Sequence, residues 1–177
     1  MIHPMTPTGR ILLRAGLLTV LMTLCHGAGF GVEQPEPRTG AYREHEARAL
    51  TDLARAAAKE GKPGDALAFH IEALAIYREI GARSGAAATL FEMGQINNYL
   101  FNYEGAVARL LEAAAVYREL GAMPELARVN LALGRSQMML GRRLDAIQVL
   151  EEALSEFTRA GNTPLAEEAR ALLNRLR

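Results

Sequence analysis

Residues 64–82 read GDALAFHIEALAIYREIGA, residues 104–122 read EGAVARLLEAAAVYRELGA, and residues 144–162 read LDAIQVLEEALSEFTRAGN. The three segments are evenly spaced, and two separate markers keep that period. One is the opening turn around Ala66, Ala106 and Ala146; the other is the aromatic with a glycine four residues on, at Tyr77–Gly81, Tyr117–Gly121 and Phe157–Gly161. An ordinary Ala/Leu-rich bundle has no reason to hold two markers in register over three copies. The chain therefore reads as a tandem array of about 40-residue units.

Each unit divides into two helices. The apolar spacing predicts helices over Glu44–Glu60 and Asp65–Ile80, Gly85–Leu100 and Tyr103–Leu120, and Pro124–Leu140 and Arg143–Ala160. A last helix over Pro164–Leu176 repeats the first member of a pair without the second. Gly81, Gly121 and Gly161 stand where a helix C-terminus needs positive φ. Thr163 before Pro164 reads as an N-cap, Asn102 as the cap of the second unit's second helix, and Gly61–Gly64 as a turn.

Small side chains recur where two helices must approach. Ala54, Gly94 and Gly134 share one position of the first helix, while Ala66, Ala106 and Ala146, and two turns later Ala73, Ala113 and Ala153, share one face of the second. Such positions let axes come within about 8–10 Å. Larger residues are expected to fill the core around them: Leu50, Leu53, Leu67, Leu74, Leu90, Met93, Leu110, Leu133, Ile147, Leu150 and Leu154. Tyr77, Tyr117 and Phe157 are expected to pack between units.

At this point the pattern resembles tetratricopeptide repeats, in a longer variety of about 40 residues. The family's Leu-Gly/Ala pair in the first helix and its two alanines in the second correspond to Leu53-Ala54, Ala66 and Ala73, to Met93-Gly94, Ala106 and Ala113, and to Leu133-Gly134, Ala146 and Ala153. The resemblance covers about residues 44–176. It departs at Asn130, where the other copies carry Leu50 and Leu90, at His70, where they carry Leu110 and Leu150, and in lacking the closing proline. It implies an all-α fold, a right-handed α-α superhelix (solenoid) of three helix hairpins plus a C-terminal closing helix. The expected units are residues 44–83, 84–123 and 124–163, closed by 164–176.

In that family the first helices line a concave wall that binds protein segments. Carried over by register, the wall holds Arg48, Thr51, Arg55 and Lys59, then Phe91, Gln95, Asn98 and Tyr99, then Arg128, Leu131, Arg135, Met138 and Met139, with Glu168 and Arg175 from the closing helix. Cations outnumber acids there, and guanidinium groups bind carboxylates bidentately. Gln95 and Asn98 suit an extended backbone, and Phe91 and Tyr99 an apolar side chain. The expected partner is an acidic or carboxylate-bearing peptide, held by Arg48, Arg55, Lys59, Phe91, Gln95, Asn98, Tyr99, Arg128 and Arg135. The competing readings are a solvated face whose arginines pair with Asp52, Glu92 and Glu168, and a self-association surface. Of Met138 and Met139, one is expected in the core and one on the surface.

Composition narrows the function classes. Arg10 and Arg14 are the only charged residues of 1–31, so the remainder carries 18 basic against 20 acidic groups, a net of about −2. That lacks the basic excess of a nucleic-acid-binding domain. His45 and His70 are the only histidines after residue 31, they fall on different helices, and the single cysteine is Cys25. Metal binding has no support there. Phosphate-loop, dinucleotide and nucleophile-elbow motifs are absent, so neither a cofactor nor catalysis is expected. Glutamates beside Arg78 and Arg118 read as a solvated face.

The beginning of the chain speaks of location. Arg10 and Arg14 precede an apolar run, Ala15–Cys25, followed by Gly27, Ala28, Gly29 and Gly31. This is the order of a secretory signal, and the run is short of the about 20 apolar residues of a membrane span. Residues 1–31 are therefore expected to be an export signal cut near Ala28 or Gly29, or a membrane-tethering leader. Cys25 is an alternative lipid-anchor site, although Leu24 departs from the small residue expected before it. Residues 32–43, rich in Pro and Glu, are expected to be a linker. Two functions follow: an exported, non-catalytic module that binds peptide segments or assembles a complex, or a membrane-tethered assembly factor of the cell envelope without a dedicated groove.

Overall fold

The computed structural model describes residues 40–177. The expected leader, Cys25 and most of the expected linker lie outside them. Seven helices and no strand are found among the described residues: α1 Gly40–Lys59, α2 Pro63–Glu79, α3 Arg83–Tyr99, α4 Tyr103–Glu119, α5 Met123–Met139, α6 Arg143–Arg159 and α7 Thr163–Leu176. From α2 onward each start falls on or just before the expected residue. The exception is α1, which begins at Gly40 instead of Glu44. Its first turn lacks an apolar periodicity and is held by charge, since Arg43 pairs with Glu46 in α1 and with Glu79 in α2.

The helices from α2 onward begin at a constant interval, at positions 63, 83, 103, 123, 143 and 163, because every turn is built alike. The last residue of each turn motif donates its amide back to the first carbonyl at 2.8–3.0 Å, as Lys62 does to Ala57, Ala82 to Tyr77, Ala122 to Tyr117 and Asn162 to Phe157. This Schellman closure needs a left-handed residue after the helix. Glycine supplies it at 61, 81, 121, 141 and 161, with φ between 66° and 74°. Phe101 supplies it between α3 and α4, at φ 60°. Asn102 caps α4 as expected, accepting from the Gly105 amide at 3.1 Å. For α7 the cap is Asn162, immediately before the expected Thr163; Asn162 Oδ1 accepts from the Leu165 amide, and Pro164 follows inside the helix.

Sequential helices pack on one another, and α3 also touches α5, so the hairpins lie in a row. The result is an all-α superhelix. The alanine columns are its seams: Ala66, Ala73, Ala106, Ala113, Ala146 and Ala153 are wholly buried. The aromatic column joins neighbouring hairpins, and a Cβ on Gly85 would meet the Tyr77 ring at 2.6 Å.

Leu53 is a correction to the expected core. It is 51% exposed, while Met93, Leu133 and Leu173, its equivalents in the later copies, are 1–3% exposed. Those three stand on helices that follow another hairpin, whereas α1 is the first described helix of the row. At the other end α7 exposes Glu167 and Asn174 where earlier hairpins bury Ala87 or Ala127 and Gly94 or Gly134. Polar residues at these two places cover the side that a following helix would occupy.

Candidate functional site: a groove along the first helices

The first helices of the hairpins bring most of the expected residues into two adjoining hollows. The larger, about 450 Å³, is walled by Arg55 and Lys59 of α1, by Phe91, Gln95 and Tyr99 of α3 and by Arg128 of α5. Its remaining wall is Ala58, Pro63, His70, Glu92 and Ile96. The smaller, about 350 Å³, is walled by Gln95, Asn98, Tyr103, Ala132, Arg135 and Met139. Gln95 stands in both, so the hollows form one groove. Arg48 is not part of it. It pairs with Glu44 at 2.5 Å and lines a separate hollow with Tyr77 and Arg83.

Thr51 and Leu131, placed on the wall by register, are buried instead. Thr51 Oγ1 donates to the Ala47 carbonyl at 3.0 Å, so the helix itself uses its hydroxyl. Met138 packs on the core beside α7, and Met139 is the exposed member of the pair.

The cations of the groove divide into two kinds. Arg55 reaches Glu92 at 2.5 Å and Asp52 at 3.2 Å, and Arg135 pairs with Glu168. The hydrogen bond to Glu92, first, holds the Arg55 guanidinium charged above its ordinary range. The pairs with Glu92 and Glu168 each link a first helix to the next one along the row, which helical spacing within one hairpin does not reveal. Lys59 and Arg128 have no acidic partner among the described residues. The Arg128 guanidinium instead sits 5.6 Å from the centroid of Phe91, at cation–π distance. Two uncommitted positive charges therefore flank an aromatic floor.

His70 and Glu92 belong to the groove although register does not place them there. His70 is 1% exposed, and its Nε2 lies 3.3 Å from a Glu92 carboxylate oxygen. Burial pushes its pKa down, with Glu92 opposing and Arg55 assisting that shift. The imidazole is thus neutral and faces Glu92, which Arg55 holds from its other side. The signal in the sequence is the break that His70 makes in the Leu110 and Leu150 column. Asn98 accepts from the Ser136 hydroxyl at 2.8 Å, which ties α3 to α5 beneath the smaller hollow.

Residues 45–119 match the tetratricopeptide repeat family model. This segment is built of tetratricopeptide repeats. Solved structures of similar fold include the apo form of RapI (TM-score 0.71, 16% identity, 76% of this chain). The N-terminal domain of stress-induced protein-1 (STI-1) from C. elegans is also similar (TM-score 0.61, 20% identity, 73% of this chain and 96% of that domain). So is a Podosopora anserina putative kinesin light chain with nearly identical TPR-like repeats (TM-score 0.60, 18% identity, 96% of this chain and 78% of that one). The chain spans 37% of the length of RapI. At these identities the likeness is one of fold. No curated protein matches the chain in sequence. Fold and family together describe a protein–protein interaction module.

Proposed function

We propose that this module is an exported, non-catalytic adaptor that holds an acidic peptide segment in its groove. The observation that carries the reading is the pair Lys59 and Arg128, two cations free of acidic partners among the described residues, across a floor of Phe91 and Tyr99. A carboxylate side chain entering between them gains charge-assisted bonds. An apolar neighbour covers Phe91 and Tyr99, and Gln95 and Asn98 lie along the path of the backbone. The basic, apolar and small-residue order of residues 10–31 supports export to a periplasmic or extracellular space.

Lys59→Glu combined with Arg128→Glu tests the groove, because both side chains are exposed and the fold does not depend on them. On an array of acidic, neutral and basic peptides, wild type should select acidic segments that carry one aromatic or large aliphatic residue. The double variant should lose them with an unchanged circular dichroism melt. Unchanged selection favours the second reading, a membrane-tethered envelope assembly factor without a dedicated groove. The internal pairing of Arg48, Arg55 and Arg135 is the observation on that side. The mass of the mature chain separates a cut leader, an intact one and a lipidated Cys25.

A further inference from the structure

Three columns of the repeat change character together in the third hairpin. Leu50 and Leu90 give way to Asn130; Ile76 and Val116 give way to Glu156; Ala75 and Ala115 give way to Ser155. All three newcomers line one cavity of about 530 Å³, which shares no residue with the groove.

The cavity is built to receive a donor. Asn130 is 2% exposed; its Nδ2 donates to Glu152 at 2.9 Å, while its Oδ1 is buried with no partner. The orientation of the amide is fixed, since only the NH₂ end can face a carboxylate. A buried acceptor without a partner is costly. Glu152 and Glu156 stand one turn apart on α6, a like-charge spacing that disfavours a helix. Glu156 is mostly buried, and the exposed Arg159 reaches both of its carboxylate oxygens at 2.7–3.1 Å, so a lysine would share this carboxylate with Arg159. Arg118, on the rim, reaches Glu152 only at 3.7 Å and is exposed, a weak pair that a competitor can displace. Met123 and Leu126 supply an apolar wall.

We propose that this cavity binds the side chain of a lysine from a partner polypeptide. The methylene stem lies along Met123 and Leu126, as lysine stems lie on apolar surface generally. The ammonium has three donors, and Asn130 Oδ1, Glu152 and Glu156 are three acceptors. The module then grips two kinds of segment, an acidic one in the groove and a basic one here, and the second does not depend on the first.

The test is a proton–nitrogen NMR titration of the full chain with Nα-acetyl-lysine methylamide, beside the same probe acetylated at Nε. The free-amine probe should give saturable shifts at the Asn130 side-chain amide and the amides of residues 152–156. Acetylation, which removes the charge, should weaken binding by at least about tenfold. Asn130→Leu combined with Glu156→Val restores the residues of the second hairpin, so this variant should fold, melt no lower than wild type and lose the shifts. The proposal is overturned if wild type shows no saturable shift, if the acetylated probe binds as well, or if the variant retains binding. It is equally overturned if the variant melts lower, because the polar residues would then be structural.

Discussion

Gly134 is the socket for Leu150: a Cβ built on Gly134 would lie 2.5 Å from Leu150 Cγ and 2.6 Å from its Cδ2. Gly94 stands in the same relation to Leu110, at 2.7 Å. The first hairpin pairs Ala54 with His70 at these two columns, so the larger socket residue accompanies the loss of the branched leucine. Gly134→Ala sets two effects against each other. Alanine is the better helix residue by about 1 kcal/mol, whereas overfilling a packed seam costs about 1–3 kcal/mol. The wall it meets is a fully buried leucine, so packing wins. Thermal melting should show a net loss of about 1 kcal/mol, relieved when Leu150→Val is added.

Phe101 offers the opposite sign. It is 78% exposed and sits at positive φ where the other turns carry glycine. Left-handed backbone costs an L-residue about 1–2 kcal/mol, and glycine's extra chain entropy returns about 0.5–1 kcal/mol of that. The edge-on contact with Tyr103, 6.3 Å between centroids, is a surface contact. Phe101→Gly should therefore raise the melting temperature slightly. A lower one would assign the ring contact more weight than the backbone strain.

His70 makes stability depend on pH. Its folded pKa lies below the ordinary value of about 6.5. In the window beneath that value the unfolded chain binds a proton that the folded chain refuses, so stability falls as pH falls. The contribution is fully present above about pH 6.5 and is lost on descending toward the folded value. Ala54→Gly with His70→Leu copies the pair of the second hairpin and removes the titrating group. Its melting temperature should drop less than that of wild type between about pH 7.5 and pH 5. Equal slopes would place the pH dependence elsewhere.

Ala113 lies wholly buried on the seam of the middle hairpin. Ala113→Arg puts a charge there without a partner, a cost of about 3–5 kcal/mol. Circular dichroism should show a large fall in melting temperature, and an unchanged melt would mean that the seam opens to water.

The period, the turn glycines and the alanine seams are legible in the sequence because each is a local requirement repeated at a fixed interval. What stays hidden is relational. Leu53 matches Met93 and Leu133 in the pattern, yet it is exposed, and it differs from them in standing on the first described helix of the row. Glutamates adjacent to Arg78 and Arg118 suggest a solvated face, yet the partners are Glu112 and Glu152 in the next hairpin. Arg55 and Arg135 pair with Asp52, Glu92 and Glu168, the acids that the solvated-face reading names; what the sequence does not decide is whether those pairs or a ligand hold the arginines, since Glu92 and Glu168 stand on the next first helix of the row. Lys59 and Arg128 differ from them in having no acidic partner among the described residues, a difference that register alone does not reveal.

The uniform turn has a consequence for how such a chain can change length. Alternate turns end in the same backbone pose, so a cut at one can be rejoined to the next but one with every remaining helix still in phase. A hairpin can therefore be excised or duplicated internally as a single block. Excising or duplicating a block in this way leaves Glu167 and Asn174 of α7 exposed as they are, so no polar residue has to be buried when the row changes length from within.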